Sequence, residues 1–133
     1  MKKISVVVPT YNEEENIAAM AAALTKLFDD QLSDYEREII FIDNCSKDKT
    51  RECIAGVCKK DKRIKAIFNT KNFGQFNSPY YGLLQATGDC VVLLAADFQD
   101  PVELIVKFVK EWEEGGYEVV CGISKRVPRI YID

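Results

Sequence analysis

Apolar positions along the chain follow two alternating rhythms. "ISVVVPT" (residues 4–10) is an unbroken β-branched run of the kind a strand buried on both faces needs, and "REIIFIDN" (37–44), "IKAIFNT" (64–70) and "DCVVLLAA" (89–96) repeat it. Between these runs the period changes to that of a helix. In "ENIAAMAAALTKLF" (15–28) the residues Ile17, Met20, Ala21, Leu24 and Phe28 share one face, and Cys53, Ile54, Val57 and Cys58 make a stripe on the next helical stretch, for which Ser46 is a candidate cap. A short helix over "PYYGLLQAT" closed by Gly88, a helix over "PVELIVKFVKEWEEG" stopped by Gly115 and Gly116, and a fifth strand over "YEVVCGIS" complete the series. Strands separated by single helices are joined in parallel by right-handed crossovers. The pattern therefore predicts an α/β fold, a doubly wound, mostly parallel sheet with helices on both faces, with residues 1–133 forming one domain.

In such a sheet ligands bind at the carboxyl ends of the strands. Three polar segments are expected there: Pro9-Thr10-Tyr11-Asn12-Glu13, Asp43-Asn44-Cys45-Ser46 and Asp97-Phe98-Gln99-Asp100. Each has an ordinary structural explanation. Asn12 and Glu15 have the spacing of a capping box, Asp43 and Ser46 suit the turn into the second helix, and Asp100 before Pro101 suits a helix N-terminus. Asp97 is different, because it follows a buried strand with no helix of its own to cap, and a carboxylate there is costly unless something cationic meets it. Together the segments predict clustered carboxylates bridged by Mg²⁺ or Mn²⁺ to an anionic ligand such as a diphosphate. Neither GxGxxG nor GxxxxGK[ST] occurs, so a glycine-cradled phosphate is not expected.

Composition narrows the partners. With 133 residues, 47% of them hydrophobic and 29% charged, the chain can bury a core, and a net charge of -3 argues against nucleic acid. The five cysteines contain no CxxC pair and there is no histidine, which points to buried thiols in a reducing compartment rather than zinc or disulfides. The start "MKKISVVVPTYNEEEN" meets acids too soon for a signal peptide or a membrane span, so a cytoplasmic location is expected.

The segments "ISVVVPTYNEEENI", "IIFIDNCSKDKT", "FNTKNFGQ", "GLLQATGDCVVLLAADFQDPVELI" and "YEVVCGIS" resemble, in order and spacing, glycosyltransferase family 2, particularly its dolichyl- and undecaprenyl-phosphate sugar transferases. The resemblance implies a GT-A type fold and a divalent metal. It also implies inverting transfer of a sugar from a nucleotide-diphosphate donor to a lipid-phosphate or glycan acceptor, as in the making of cell-envelope polysaccharide. It matches Pro9, Tyr11 and Glu13 to the loop that contacts the nucleoside, where a tyrosine ring can lie on the base. Asp43 matches a second nucleoside-side acid, Asn44 stands where the family commonly has another Asp, and Lys71 falls where a basic residue reaches the diphosphate. The family's Asp-x-Asp-x-Gln-Asp at the fourth strand reads Ala95-Ala96-Asp97-Phe98-Gln99-Asp100 here. Asp97 and Gln99 are thus the implied metal ligands, with Asp97 the catalytic candidate, and Ala95 removes the first acid. Ser78-Pro79 predicts that the third helix begins late or kinks, leaving a longer, more mobile loop from Lys71 to Asn77. Family members continue past the fifth strand into acceptor-binding segments. The chain therefore reads as a donor-binding half, inactive alone and open to self-association through exposed apolar surface, with the full protein at the cytoplasmic face of a membrane. Ala95 and Asn44 equally suit a non-catalytic nucleotide-sugar binding module, whereas a flavodoxin-like or receiver domain leaves "PTYNE" and "FQDP" unexplained.

Overall fold

The computed structural model describes residues 1–120. Four parallel strands, β1 (Lys3–Thr10), β2 (Glu36–Asp43), β3 (Ile64–Phe68) and β4 (Cys90–Leu93), form one sheet in the order β3-β2-β1-β4. Helices α1 (Ile17–Gln31), α2 (Thr50–Lys60) and α3 (Asn77–Gln85) make the crossovers, and α4 (Leu104–Glu113) follows β4. The chain divides into a unit from Met1 to Val102 and a second unit from Glu103 onward. Within the second unit α4 has Ile105 and Val109 buried, and the chain turns after it at Gly116, which takes φ +69. The expected fifth strand is only partly testable: Tyr117 to Val120 take no strand, and Cys121 to Ser124 lie outside the described residues.

Alternation along β1 and β2 assigns the faces of the sheet. Val7, Ile40 and Ile42 form a cluster with Leu83 and Ala86 at the α3 end of one face. On the other, Arg37 lies over the Phe28 ring of α1 at 5.2 Å and bonds the Asp29 carboxylate. Five alanines favour the helical conformation of α1, and all five residues of its expected stripe are buried, with Leu27 added. In α2 the burial falls mainly on Thr50 and Ile54, while Cys53, Val57 and Cys58 are half-covered. Helix α3 starts at Asn77, as the Ser78-Pro79 pair predicts, because a proline in the first turn gives up only an N–H that no carbonyl of the helix would meet. It crosses the sheet at very close range. A Cβ on Gly82 would stand 2.8 Å from Val7 Cγ1 and 3.1 Å from Ile42 Cγ2, so a larger residue there would have to displace those buried side chains.

The α3–β4 connection is fastened at the amino end of the sheet by a buried carboxylate that sequence reading did not single out. Glu38, on the α3 face, accepts from Ser5 Oγ at 2.7 Å, Lys65 Nζ at 2.5 Å, Thr87 N at 2.9 Å and Thr87 Oγ1 at 3.0 Å. Ser5 Oγ in turn accepts from Gly88 N, and a Cβ on Gly88 would stand 2.6 Å from that oxygen. Burial by itself raises the Glu38 pKa, yet the Lys65 ammonium, the Thr87 amide, and the Ser5 and Thr87 hydroxyls outweigh it and bring it from 4.5 to about 2. A depressed carboxylate stabilises the fold above its unfolded pKa and loses that contribution as pH falls through the folded value. Glu38→Gln should therefore cost about 3 kcal/mol at neutral pH. In urea titrations the gap from wild type should narrow as pH drops from 4.5 toward about 2; a gap independent of pH would show that the charge contributes nothing.

Candidate functional site

Because all four strands are parallel, the loops after β1, β2 and β4 leave from the same edge, and the connections diverge between β1 and β4. That divergence is where open α/β sheets hold ligands. The backbone marks the same edge. Among the described residues the non-glycine positions with positive φ are Asn12 (53°), Cys45 (64°) and Phe98 (60°), one in each of the three loops. Cysteine and phenylalanine are disfavoured in this region, at a cost on the order of 1–2 kcal/mol each, and such strain persists only where its surroundings enforce it.

Two of the loops are stitched to each other. Asn12 N donates to Ser46 Oγ at 2.8 Å, Lys47 N to Asn12 Oδ1 at 2.9 Å, Glu13 N to Thr50 Oγ1 at 2.8 Å and Lys49 N to Glu14 Oε2 at 3.2 Å. The side chains expected as helix caps are thus used differently. Asn12 serves the neighbouring loop rather than a capping box, Ser46 faces Asp43, and Asp48 is the residue whose Oδ1 accepts from Thr50 N at the start of α2. At the far end, α4 begins at Leu104, beyond the turn containing Pro101.

Asp43 is the centre of this edge. Its side chain has no exposed surface and accepts from Thr10 Oγ1 at 2.8 Å, Ser46 Oγ at 2.5 Å, Ser46 N at 2.9 Å and Arg51 Nε at 3.2 Å. A carboxylate offers about four acceptor positions, so this one is filled from within the protein. Arg51 extends the network: its other guanidinium end bonds the Asn69 carbonyl, and its plane lies over the Phe68 ring at 5.2 Å. Asn44 is equally committed. Its Nδ2 donates to Asn72 Oδ1 at 2.8 Å and to the Gly74 carbonyl at 3.2 Å, while its Oδ1 accepts from Phe73 N at 2.9 Å and Asn69 Nδ2 at 3.3 Å. The loop after β3, expected to be loosely held, is therefore anchored at Asn72, Phe73 and Gly74. Lys71, exposed just before it, lies over the Phe73 ring at 5.1 Å.

The remaining candidates face solvent. Tyr11 is exposed, Pro9 is half-buried at the end of β1, and half-buried Glu13 accepts from the Asn16 amide at 2.9 Å. Through β4 and beyond it, burial alternates at Val92, Leu94 and Ala96, which puts Ala95 and Asp97 on the exposed row. Asp97 Oδ1 accepts from Gln99 N at 3.1 Å, an Asx-turn that holds the exposed carboxylate. The expected carboxylate cluster does not form. Among the described residues no three His, Cys, Asp or Glu side chains come together as a metal-holding group, because Asp43 is turned inward to Thr10, Ser46 and Arg51.

Residues 5–129 match the family model described as Glycosyl transferase family 2. The chain belongs to that family. It is 36% identical over 124 residues to the prophage bactoprenol glucosyl transferase homolog of Escherichia coli (strain K12), covering 93% of this chain and 40% of that protein. It is 36% identical over 121 residues to the undecaprenyl-phosphate 4-deoxy-4-formamido-L-arabinose transferase of Photorhabdus laumondii subsp. laumondii, covering 90% of this chain and 36% of that protein. The crystal structure of S. aureus TarS 1-349 in complex with UDP-GlcNAc superposes with a TM-score of 0.67 at 28% identity, over 84% of this chain and 31% of that one. The chain thus spans less than half the length of these curated relatives. The GT-A fold expected from the motifs is the fold observed.

Arg51, and the inward bonds of Thr10 and Asn69, went unnoticed in the sequence of this family 2 member. Thr10 carries a recoverable signal, since it is the polar residue that ends a buried strand run, in register with Asp43, whereas Asn69 follows the end of β3 and donates its N–H to the Asp43 carbonyl. Arg51 carries none, because an arginine in the first turn of a helix ordinarily faces water. Asn44→Asp tests the loop anchor: it removes both donors and sets a charge against Asn72 Oδ1 and the Gly74 carbonyl. The substitution should cost about 2 kcal/mol and speed amide exchange at Phe73 and Gly74 by more than ~10-fold. Unchanged exchange there would mean that the loop is held by other contacts.

Proposed function

We propose that the protein is the donor-binding part of an inverting, metal-assisted glycosyltransferase that moves a sugar from a nucleotide diphosphate to a polyprenyl phosphate on the cytoplasmic side of a membrane. The observation that carries this reading is the joining of Pro9–Glu13, Asp43–Ser46 and Ala95–Asp100 to one edge of a family 2 fold, where they flank the β1/β4 divergence. The similarity to a bactoprenol glucosyl transferase homolog and to an undecaprenyl-phosphate sugar transferase supports the acceptor class, and the UDP-GlcNAc complex of TarS supports the donor class.

Asp43 and Asn44 shape the nucleoside pocket from below, since their polar atoms already have partners, and the groups free to touch the donor are Tyr11, Glu13 and Lys71. The Tyr11 ring packs on the base, and Lys71 meets the diphosphate charge. Asp97 and Gln99 offer hard oxygen donors on the exposed row, the donor set Mg²⁺ or Mn²⁺ takes when substrate phosphates complete its shell. Asp97 and Gln99 would hold a divalent cation, which would supply Lewis-acid stabilisation of the departing nucleoside diphosphate. An ionised phosphate oxygen of the acceptor attacks the anomeric carbon from the face opposite the leaving group. The bond to the diphosphate breaks with its electron pair, and no strong protein base is required.

No helix among the described residues is long and apolar enough to cross a membrane. Segments beyond this chain would position the acceptor, so the chain alone is expected to bind donor without turnover. Ala95 favours a second reading, a nucleotide-sugar binding module without catalysis, since it leaves the exposed row with a single acid. One calorimetric series separates the two. Mn²⁺ should raise nucleoside diphosphate affinity, Asp97→Asn should remove most of that gain, and Ala95→Asp should enlarge it by ~1 kcal/mol, about fivefold. Affinity indifferent to both Mn²⁺ and Asp97→Asn would favour the non-catalytic module.

A further inference from the structure

Helix α3 carries apolar side chains on its exposed side. Its inner side presents Ser78 and Gly82 to the sheet, and its outer stripe, at helical spacing, carries Tyr80 (63% exposed), Tyr81 and Leu84 (61% exposed). The loop before it adds Phe73 and Phe76, the latter 79% exposed. Contiguous exposed apolar side chains mark an interaction surface. Among the described residues the outer stripe, the side turned away from the sheet, is uncovered.

Charge indicates what covers it. From Asn69 to Gly88 the sequence holds no Asp or Glu and one Lys, in a chain where a stretch of that length would carry about three acids at the average frequency. Two tyrosines, two phenylalanines and a leucine, with amides at Gln75, Asn77 and Gln85 beside them, are side chains that settle at the headgroup level of a bilayer, apolar bodies inward and polar tips in water. A missing acid removes repulsion from anionic lipid, and Lys71 adds attraction. A groove of about 370 Å³ lined by Phe73, Tyr81, Asn69 and Thr70 links this patch with the carboxyl end of β3, beside Lys71.

We infer that the outer face of α3, with Phe73 and Phe76, is a membrane-contact surface that seats this domain on a phospholipid bilayer with its carboxyl edge beside the headgroups. The inference deepens the proposed reaction and rests on it only for the lipid acceptor; bilayer contact itself is measured without sugar or acceptor.

The test is flotation of the chain with vesicles of phosphatidylcholine alone and of phosphatidylcholine with phosphatidylglycerol. Wild type should float with both and bind the anionic vesicles more tightly, while Lys71→Glu should abolish only that difference. The triple variant Phe76→Ser, Tyr80→Ser, Leu84→Ser should bind at least ~10-fold more weakly to both, since roughly 1.4 kcal/mol of buried apolar surface already gives that factor. Those three side chains are exposed, so its circular dichroism and nucleotide affinity should match wild type. Wild type left in the aqueous layer, or a triple variant that floats equally well, would overturn the inference. Self-association in sedimentation that the triple variant abolishes, without vesicle binding, would assign the face to a second copy instead. Vesicle binding combined with no nucleotide binding would sink the transferase reading and leave this one standing.

Discussion

The arrangement of the carboxyl edge depends on burying the charge of Asp43. A carboxylate at the end of a central strand, sealed from water, is tolerated only if every acceptor position meets a donor. Thr10 from β1, Ser46 from its own loop and Arg51 from α2 meet that demand, and each is thereby fixed in place. Ser46, once fixed, receives Asn12 N, and Arg51, once fixed, holds the Asn69 carbonyl. The requirement of one side chain thus sets the relative positions of three loops. Glu38 does the same at the amino end and on the opposite face, where it ties β1, β2 and β3 to the turn that delivers β4.

The bonds made by Asp43 and Asn44 explain why strained backbone persists at Cys45. Its left-handed conformation is one that an isolated turn would abandon, and it lies between Asn44 and Ser46, both of which are held by several hydrogen bonds. Among the described residues no buried side-chain nitrogen or oxygen lacks a partner, so the polar groups inside act as a rigid frame. The polar side chains divide accordingly. Asp43 and Asn44 belong to the frame, while Tyr11, Lys71, Asp97 and Gln99 keep exposed surface. Asn44 illustrates the point, because an aspartate in its place has no N–H to offer Asn72 or Gly74.

The strands and helices were legible in the sequence because their signals are local. Ile17, Met20, Ala21, Leu24 and Phe28 lie on one helical face whatever surrounds them, and all are buried. Four β-branched runs marked the four strands, and Pro79 located the late start of α3. Caps were less legible, since Ser46 and Asn12 have the chemistry of caps and the structure gave them partners on another loop. Arg51 and Glu38 were invisible for the same reason: nothing near them in the chain reveals that one will meet Asp43 and the other Lys65 and Thr87.

By itself, then, the sequence determined the α/β class, the order of elements from β1 to α4, the family and the segments that gather at one edge, all of which follow from periodicity and short motifs within a few neighbouring residues. Tertiary structure alone decided which polar side chains face inward as framework and which stay available. It turned Asp43 away from solvent, left Asp97 outside, committed Asn44 to the loop after β3 and opened the outer face of α3. The physical reason is that a polar group's availability depends on whether distant donors and acceptors reach it first. That competition is settled only when β1, β2 and α2 are packed together.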